Sequence, residues 1–232
     1  VAYDHYGSYA TYYPDGKGGF LDPTQNSHLT DKYTKLTNEF RISSPSSNPF
    51  RVTLGAFMQE QTDQIGADYA IRGNGAVNLS PWLSAFGTSD SVFRTRIKRK
   101  DRDTALFAQG EYDLTDRLTA IAGVRWFHYN NTIRGFSGTN GGSSLAACLP
   151  GSGAYLDAPC INADKQKKQS GFIWKGGLKY DINNDVMLYA TVSRGFRPGG
   201  NNRRPGVNPY VADTLDNFEL GWKTQSGPIT FN

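Results

Sequence analysis

Apolar and polar side chains alternate along several stretches of the chain. In RLTAIAGVRW, apolar side chains fill every second position, at Leu118, Ala120, Ala122, Val124 and Trp126. Because neighbouring side chains of a strand point to opposite faces, a period of two predicts a strand with one apolar and one polar face. The same alternation recurs in KLTNEFRI, FRVTLGAFM, LFAQGEY and DNFELGWK. The sequence therefore predicts a sheet that is apolar on one side only.

Turn residues divide this pattern into seven strands and the start of an eighth, which follows QSGP. The seven predicted strands are Tyr33–Ser43, Phe50–Ile65, Thr104–Asp113, Arg117–Tyr129, Ser170–Asp181, Asp185–Phe196 and Asp213–Thr224. Short turns such as SPSSNP, LTD and INN alternate with long connections, which is the layout of outer-membrane barrels. A β-sandwich has no reason to place every long loop at one end. We predict an all-β, antiparallel transmembrane β-barrel, with residues 1–32, 66–103 and 130–169 as extracellular loops.

Composition agrees with a barrel and excludes a helical membrane protein. Only 38% of the residues are hydrophobic, and we find no apolar run of the roughly 18 residues that a spanning helix needs. Barrel strands are half polar, so they pass this test. Aromatic side chains near strand ends on the apolar face suit interfacial girdles, although ordinary core aromatics would follow the same pattern: Phe50, Tyr112, Trp126, Trp174, Tyr180 and Trp222. The net charge of +4 is mild and calls for no nucleic acid.

The two cysteines, Cys148 and Cys160, lie in a stretch rich in glycine, serine and proline. A disulfide in an oxidising compartment fits this context, and two free thiols are the alternative. No cluster of histidine or cysteine joins them, so a metal site is not predicted. The sequence also lacks the spaced motifs of hydrolases, zinc proteases and nucleotide-binding enzymes. We predict neither an enzymatic activity nor a cofactor.

Three segments resemble a known family. LFAQGEYDLTDRLTAIAGVRW, GLKYDINNDVMLYATVSRGFRPGGNN and ADTLDNFELGWKT are similar to consecutive barrel strands of TonB-dependent outer-membrane receptors. The resemblance covers about Thr34 to Phe231. It implies that residues 1–232 belong to a single barrel domain of about 22 strands, of which about eight are present. The plug domain, the TonB box and the terminal strand of the family are not matched, so a wall segment of a longer receptor is expected.

The resemblance implies active transport across the bacterial outer membrane. The expected ligand is scarce and bulky, a ferric siderophore before cobalamin, haem or a glycan, and the energy comes from TonB through a segment that this chain lacks. Outer-membrane lipid and lipopolysaccharide would surround the strands. The alternatives are a passive porin or channel, and a surface-binding β-barrel without transport. A soluble β-sandwich adhesin is a further alternative, which expression without detergent would test.

The loop SRGFRPGGNNRRPG contains the candidate ligand contacts. Its arginines offer forked donors suited to carboxylates, phosphates or catecholates, and its asparagines add donors and acceptors. The candidates are Arg194, Arg197, Asn201, Asn202, Arg203 and Arg204. The alternative is a solvated loop whose arginines contact neighbouring loops.

The run RTRIKRKDRD is the most basic stretch of the chain. Arg94, Arg96, Lys98, Lys100 and Arg102 share the parity of the apolar position Leu106. If the strand continues without interruption, these five side chains point outward, level with lipopolysaccharide phosphates, and we predict contact with that lipid. A solvated strand extension is the alternative, and a β-bulge would reverse the parity.

Overall fold

A single antiparallel sheet forms most of the protein. The structure, a computed structural model, describes residues 2–3, 15, 17–19, 24–77, 86, 89–140 and 148–231. In these residues each strand pairs with the next along the chain. The strands are β1 (Ala2–Tyr3), β2 (Gln25–Ser43), β3 (Phe50–Ile71), β4 (Ser91–Asp113), β5 (Leu118–Thr139), β6 (Ala163–Asp181), β7 (Val186–Arg197), β8 (Asp213–Ser226) and β9 (Ile229–Phe231). The short helix α1 (Asn74–Val77) follows β3, and the predicted all-β antiparallel fold is confirmed.

The register keeps each face of the sheet chemically uniform. Strands β3 and β4 pair without interruption from Phe50↔Tyr112 to Tyr69↔Phe93, and their register shifts only at Tyr69/Ala70. Strands β4 and β5 pair in step from Phe93 to Asp113. Because paired residues share a face, the alternating positions of successive strands line up in rows across the sheet.

An apolar band covers the face that we call the outer face. Phe218 and Leu220 in β8 are 80% and 85% exposed. At the end of the band that is farthest from the short turns, one row of paired residues crosses the sheet through Phe40, Ala56, Leu106, Trp126 and Phe172. Near the short turns, aromatic side chains end the band at Phe50, Tyr112, Tyr180 and Trp222. Burying apolar area is worth about 25 cal/mol per Å², so an exposed band of this size requires an apolar covering.

The opposite, inner face carries polar and charged side chains. Arg125 donates to Asp103 at 3.3 Å and stacks over the Phe57 ring at 4.7 Å. Close to the first short turn, Arg51 forms a forked pair with Asp113, with N–O distances of 2.5 and 2.7 Å. Charged groups facing each other across strands keep this face hydrated or in contact with polar groups.

The strands extend further than the sequence predicted. The connections that were expected at 66–103 and 130–169 span only residues 72–90 and 140–162, and β2 begins at Gln25 within the predicted 1–32 loop. Polar residues outnumber apolar ones in these extensions, and the few buried apolar side chains, such as Ile97, Ile133 and Phe136, are too scattered for hydrophobic alternation to reveal the strands. Backbone pairing and cross-strand ion pairs, such as Glu60 with Lys100, hold them together. Residues 4–14, 16 and 20–23 lie outside the described residues.

The connection between β5 and β6 folds back over the outer face of these extensions. A disulfide joins Cys148 to Cys160, with the Cα atoms 5.9 Å apart. Cys160 and Ala158 pack with Phe86 and Phe136 in a small buried cluster. Within the described ranges, no helix is long and apolar enough to cross a membrane.

Candidate ligand-binding site

A polar cavity of about 370 Å³ lies on the inner face, beyond the level of the apolar band. Strands β3, β4 and β5 supply its floor, and the connection between β7 and β8 covers it. We call this connection, residues 198–212, the roof loop. The cavity is lined by Gln59, Gln61, Arg99, Asp101, Asp103, Tyr129, Arg197, Pro198 and Tyr210.

Asp101 organises the floor of the cavity. Its side chain is only 6% exposed and accepts hydrogen bonds from Tyr129 Oη at 2.5 Å, from Arg99 Nε at 2.9 Å and from Asn131 Nδ2. A buried carboxylate is tolerated only when it is paired and hydrogen-bonded, and these three donors provide that. Burial and the bond to Asp101 raise the pKa of Tyr129, so its hydroxyl stays a donor.

A pair of asparagines fastens the roof loop to the floor. The backbone N and the Nδ2 atom of Asn201 both donate to Asn131 Oδ1 at 2.8 Å, and Nδ2 also reaches the Asn131 carbonyl oxygen at 3.1 Å. Both side chains are buried. Since Asn131 also donates to Asp101, one continuous hydrogen-bond network links the floor carboxylate to the roof.

Lys165 on β6 makes a second attachment. Its ammonium donates to the carbonyl oxygens of Asn202, Arg204 and Val207 at 3.1, 2.7 and 2.9 Å. An ammonium has three donors, so this lysine is fully satisfied by the backbone of the loop. Burial lowers the pKa of Lys165.

Two close approaches complete the attachment of the roof loop. Gly200 and Tyr210 exchange backbone hydrogen bonds of 3.2 and 2.9 Å, and Arg99 Nη2 reaches Tyr210 Oη at 3.4 Å. A Cβ atom on Gly199 would lie 2.5 Å from the Tyr210 carbonyl oxygen, so only glycine fits there. The roof loop is therefore a formed part of the inner face.

Two of the predicted ligand-contact arginines are engaged in ion pairs. Arg194 forms a forked pair with Asp216 on β8 at 2.6 and 2.7 Å. Arg197 donates to Asp213 at 3.1 Å through Nε. Arg197 lines the cavity, but its charge, like that of Arg99 beside Asp101, is opposed by a carboxylate.

Of the other four predicted residues, the two asparagines form hydrogen bonds that stabilise the roof loop, and the two arginines are exposed. Asn201 belongs to the asparagine pair, and the Asn202 side chain accepts from the Arg204 backbone N at 2.9 Å. Arg203 and Arg204 are exposed, and neither guanidinium makes a hydrogen bond or an ion pair in the described part of the chain. Of the six predicted ligand contacts, only Arg203 and Arg204 thus carry a charge that no carboxylate opposes among the residues described.

Sequence reasoning missed the floor of the site. Asp101, Asn131 and Lys165 all lie in stretches that were predicted as loops, and none of them was predicted to belong to a binding site. The sequence did contain one indication of this floor. Asp101 and Asp103 are separated by even numbers of residues from Gln109 in the same strand, so they fall on the same polar face.

The five basic residues of the β4 extension all lie on the outer-face rows, because the register is continuous past them. Arg94 is 7% exposed and bonds to Asp68 at 2.8 Å, and Arg96 contacts Asp68 and Asp157 at 2.6 and 2.5 Å.

The three of these residues that lie nearest the apolar band, Lys98, Lys100 and Arg102, are more accessible to solvent. Lys100 and Arg102 share Glu60, at 2.7 and 2.6 Å. Lys98 is exposed and has no ion pair or hydrogen bond among the residues described. No group of three or more histidine, cysteine or acidic side chains in the described ranges could hold a metal ion.

The sequence of the whole chain matches a family model. Residues 1–232 fit the family described as TonB dependent receptor-like, beta-barrel. A curated relative, the rhizobactin receptor of Rhizobium meliloti strain 1021, is 27% identical over 54% of this chain and 18% of that protein.

Two solved structures share the fold. The ferric yersiniabactin uptake receptor FyuA from Yersinia pestis superposes with a TM-score of 0.69 and 16% identity, over 91% of this chain and 29% of that one. The ferric-catecholate import receptor Fiu from E. coli K12, in its closed form, gives a TM-score of 0.51 and 15% identity over 88% and 30%. The chain thus spans less than a third of each of these three proteins.

Proposed function

Because the chain belongs to the TonB-dependent receptor β-barrel family, we propose that it is a wall segment of an outer-membrane receptor that imports a ferric siderophore. The observation that carries this proposal is the polar cavity on the inner face, covered on one side by the roof loop, which is anchored at Asn131 and Lys165. A porin wall needs no such roofed cavity. The wall binds the ligand without transforming it.

The remaining features follow from this assignment. Strands of the rest of the receptor complete the barrel, the inner face lines its lumen, and the long connections lie outside the cell. TonB supplies the energy through a part of the receptor beyond this chain. Outer-membrane lipid covers the apolar band, and lipopolysaccharide lies above it.

The choice of siderophore rests on the proteins that the chain resembles. Their names specify rhizobactin, ferric yersiniabactin and ferric catecholates as ligands of those receptors. Many ferric siderophores are anionic, and Arg203 and Arg204 offer two forked donors that no carboxylate occupies within the described residues. The paired arginines, Arg194 and Arg197, contribute less because an anion would have to displace Asp216 and Asp213.

Uptake of radioactive iron by cells tests the proposal. The full receptor is expressed in a strain without its own siderophore receptors and is offered a panel of ferric catecholate, hydroxamate and hydroxycarboxylate complexes. We expect receptor-dependent accumulation of at least one complex, abolished when TonB is deleted. Accumulation that survives loss of TonB would identify a passive channel, and no accumulation of any complex would contradict iron import.

Removing the two exposed arginines should weaken ligand binding. The double variant Arg203→Gln, Arg204→Gln keeps the backbone carbonyls that hold Lys165, and it loses two charged donors. For an anionic complex we expect about a tenfold or greater loss of affinity of the purified receptor, measured by fluorescence quenching. The matched control, Arg72→Gln with Arg117→Gln, removes two exposed arginines elsewhere and should bind normally. Equal loss in both variants would mean a general charge effect.

A further inference from the structure

A belt of basic side chains crosses the outer face of the strand extensions. It comprises Lys32 on β2, Lys98, Lys100 and Arg102 on β4, Arg134 on β5 and Lys168 on β6. These six residues form the outer basic belt. One row runs through four neighbouring strands at Lys32, Gln64, Lys98 and Arg134, which at strand spacing is about 14 Å wide.

Positive charge in the outer basic belt exceeds what the protein neutralises. Glu60 pairs with both Lys100 and Arg102, and Asp164 pairs with Arg134 at 2.5 Å. Lys32, Lys98 and Lys168 are exposed, and none has an ion pair or a hydrogen bond in the part of the chain that the structure describes. Two carboxylates therefore serve six cations, and an anionic partner would complete the face.

The belt lies directly beyond the apolar band. Along β4, Arg102 is four residues from Leu106 of the band, and Lys98 is eight residues away. With a rise of about 3.3 Å per residue and a tilt of about 40°, these cations stand roughly 10–20 Å outside the hydrocarbon level. A lipid whose chains cover the band would hold its phosphorylated headgroup at this height.

A groove beside Lys98 gives the belt a shaped site. It has a volume of about 350 Å³, and its wall includes Lys32, Gln64 and Lys98 together with Tyr155 and Leu156. Tyr155 and Ala158 pair in a tight turn of the disulfide-linked connection, which leaves Leu156 76% exposed beside the groove. Two unpaired ammonium groups next to an apolar side chain suit an amphipathic anion.

We infer that the outer basic belt binds the phosphates of lipopolysaccharide, whose acyl chains cover the apolar band. This inference rests on the proposed function, because it requires the long connections to lie outside the cell. The residues inferred to bind lipopolysaccharide are not the same set as the five basic residues of β4 that the sequence predicted. Arg94 and Arg96 are engaged by Asp68 and Asp157, whereas Lys32, Arg134 and Lys168 come from other strands and join only through the sheet register. A free phosphate ion would use the cations but not the band, so the continuity of the two surfaces favours the lipid.

Binding of defined lipids to the detergent-purified full receptor tests the inference. The probes are lipid A with both phosphates and the same lipid A after removal of its phosphates. The triple variant Lys32→Gln, Lys98→Gln, Lys168→Gln removes only the unpaired cations and leaves every ion pair intact. We expect its affinity for phosphorylated lipid A to fall about tenfold or more, measured by native mass spectrometry, because each basic residue near an anionic surface contributes to binding.

A matched triple variant separates the outer face from total charge. Lys35→Gln, Lys167→Gln, Lys175→Gln removes three lysines from the inner face of β2 and β6 and should bind phosphorylated lipid A as the wild type does. Equal loss in both triple variants, no loss in the outer one, or equal binding of dephosphorylated lipid A by the wild type would overturn the inference. Melting temperatures of both variants confirm folding. Siderophore uptake is measured separately, so a failure of import is distinguishable from a failure of lipid binding.

Discussion

Replacing Asn131 with leucine should free the roof loop and abolish siderophore uptake. The substitution removes the Oδ1 atom that accepts two of the three bonds from Asn201, one from its backbone N and one from Nδ2, and leaves only the bond to the backbone carbonyl of residue 131. It also takes one donor from the buried Asp101 carboxylate. Unsatisfied buried polar groups cost about 1–3 kcal/mol each, so we expect the attached state of the loop to lose about 3 kcal/mol, on the order of a hundredfold in population. The cavity would then lack a stable roof.

Hydrogen–deuterium exchange of peptides covering residues 198–212 measures this release. The amides of Gly200 and Tyr210, which bond to each other's carbonyls, should exchange about a hundredfold faster in the variant. Asn130→Leu is the matched control, because Asn130 lies on the other face of the same strand and bonds only to Gln166 at 3.0 Å among the contacts described. Unchanged exchange in Asn131→Leu would show that the other attachments, at Lys165 and Tyr210, hold the loop without the asparagine pair.

Replacing Arg94 with methionine should destabilise both connections that meet at this residue. Its guanidinium donates to Asp68 at 2.8 Å, to the Asp157 carbonyl at 2.5 Å and to Ser89 Oγ at 3.2 Å, and it lies over the Phe86 ring. Methionine keeps most of the bulk but leaves these acceptors without their donor. Breaking such a buried pair costs about 3–5 kcal/mol. We expect a lower melting temperature and rapid proteolysis within residues 72–90 and 148–162.

The pH dependence of the stability lost in Arg94→Met shows whether the broken ion pairs cause that loss. Burial opposes ionisation of Asp68, but hydrogen bonds from Arg94 and Arg96 outweigh it and lower the pKa of that carboxyl. The pKa of Asp157 is lowered chiefly by Arg96. A lowered pKa contributes stability that is complete above the unfolded value of about 4 and disappears as the pH falls through the folded value. The deficit of Arg94→Met should therefore be largest at pH 7 and shrink below pH 4. Lys98→Met, on the same strand and face, should melt as the wild type at both pH values.

Strand alternation predicted the membrane-level part of the sheet well because one face there is uniformly apolar. Leu106, Trp126 and Phe172 fall in one row, as their parities required. The extensions beyond them were missed for the opposite reason. Segments such as KQKKQ in β6 are polar on both faces, and only pairing with β5 makes them strand.

That the roof loop contacts the ligand stays a prediction, and the structure adds contacts of its residues that the sequence did not supply. The roof loop was identified from its arginines and asparagines, but sequence could not tell which of them face carboxylates. Arg194 meets Asp216 through the pairing of β7 with β8, and Asn201 meets Asn131 seventy positions away. Contacts of that separation depend on sheet order and register, which local patterns do not encode.

Lys165 has a consequence for how such a receptor can change its ligand. The lysine contacts carbonyl oxygens of Asn202, Arg204 and Val207, groups that every amino acid possesses. The path of the loop is thus recognised independently of the side chains it displays. Residues 203 and 204 can be exchanged for others while the frame beneath them keeps its shape. A receptor built in this way can acquire a new specificity at its roof without having to evolve a new fold.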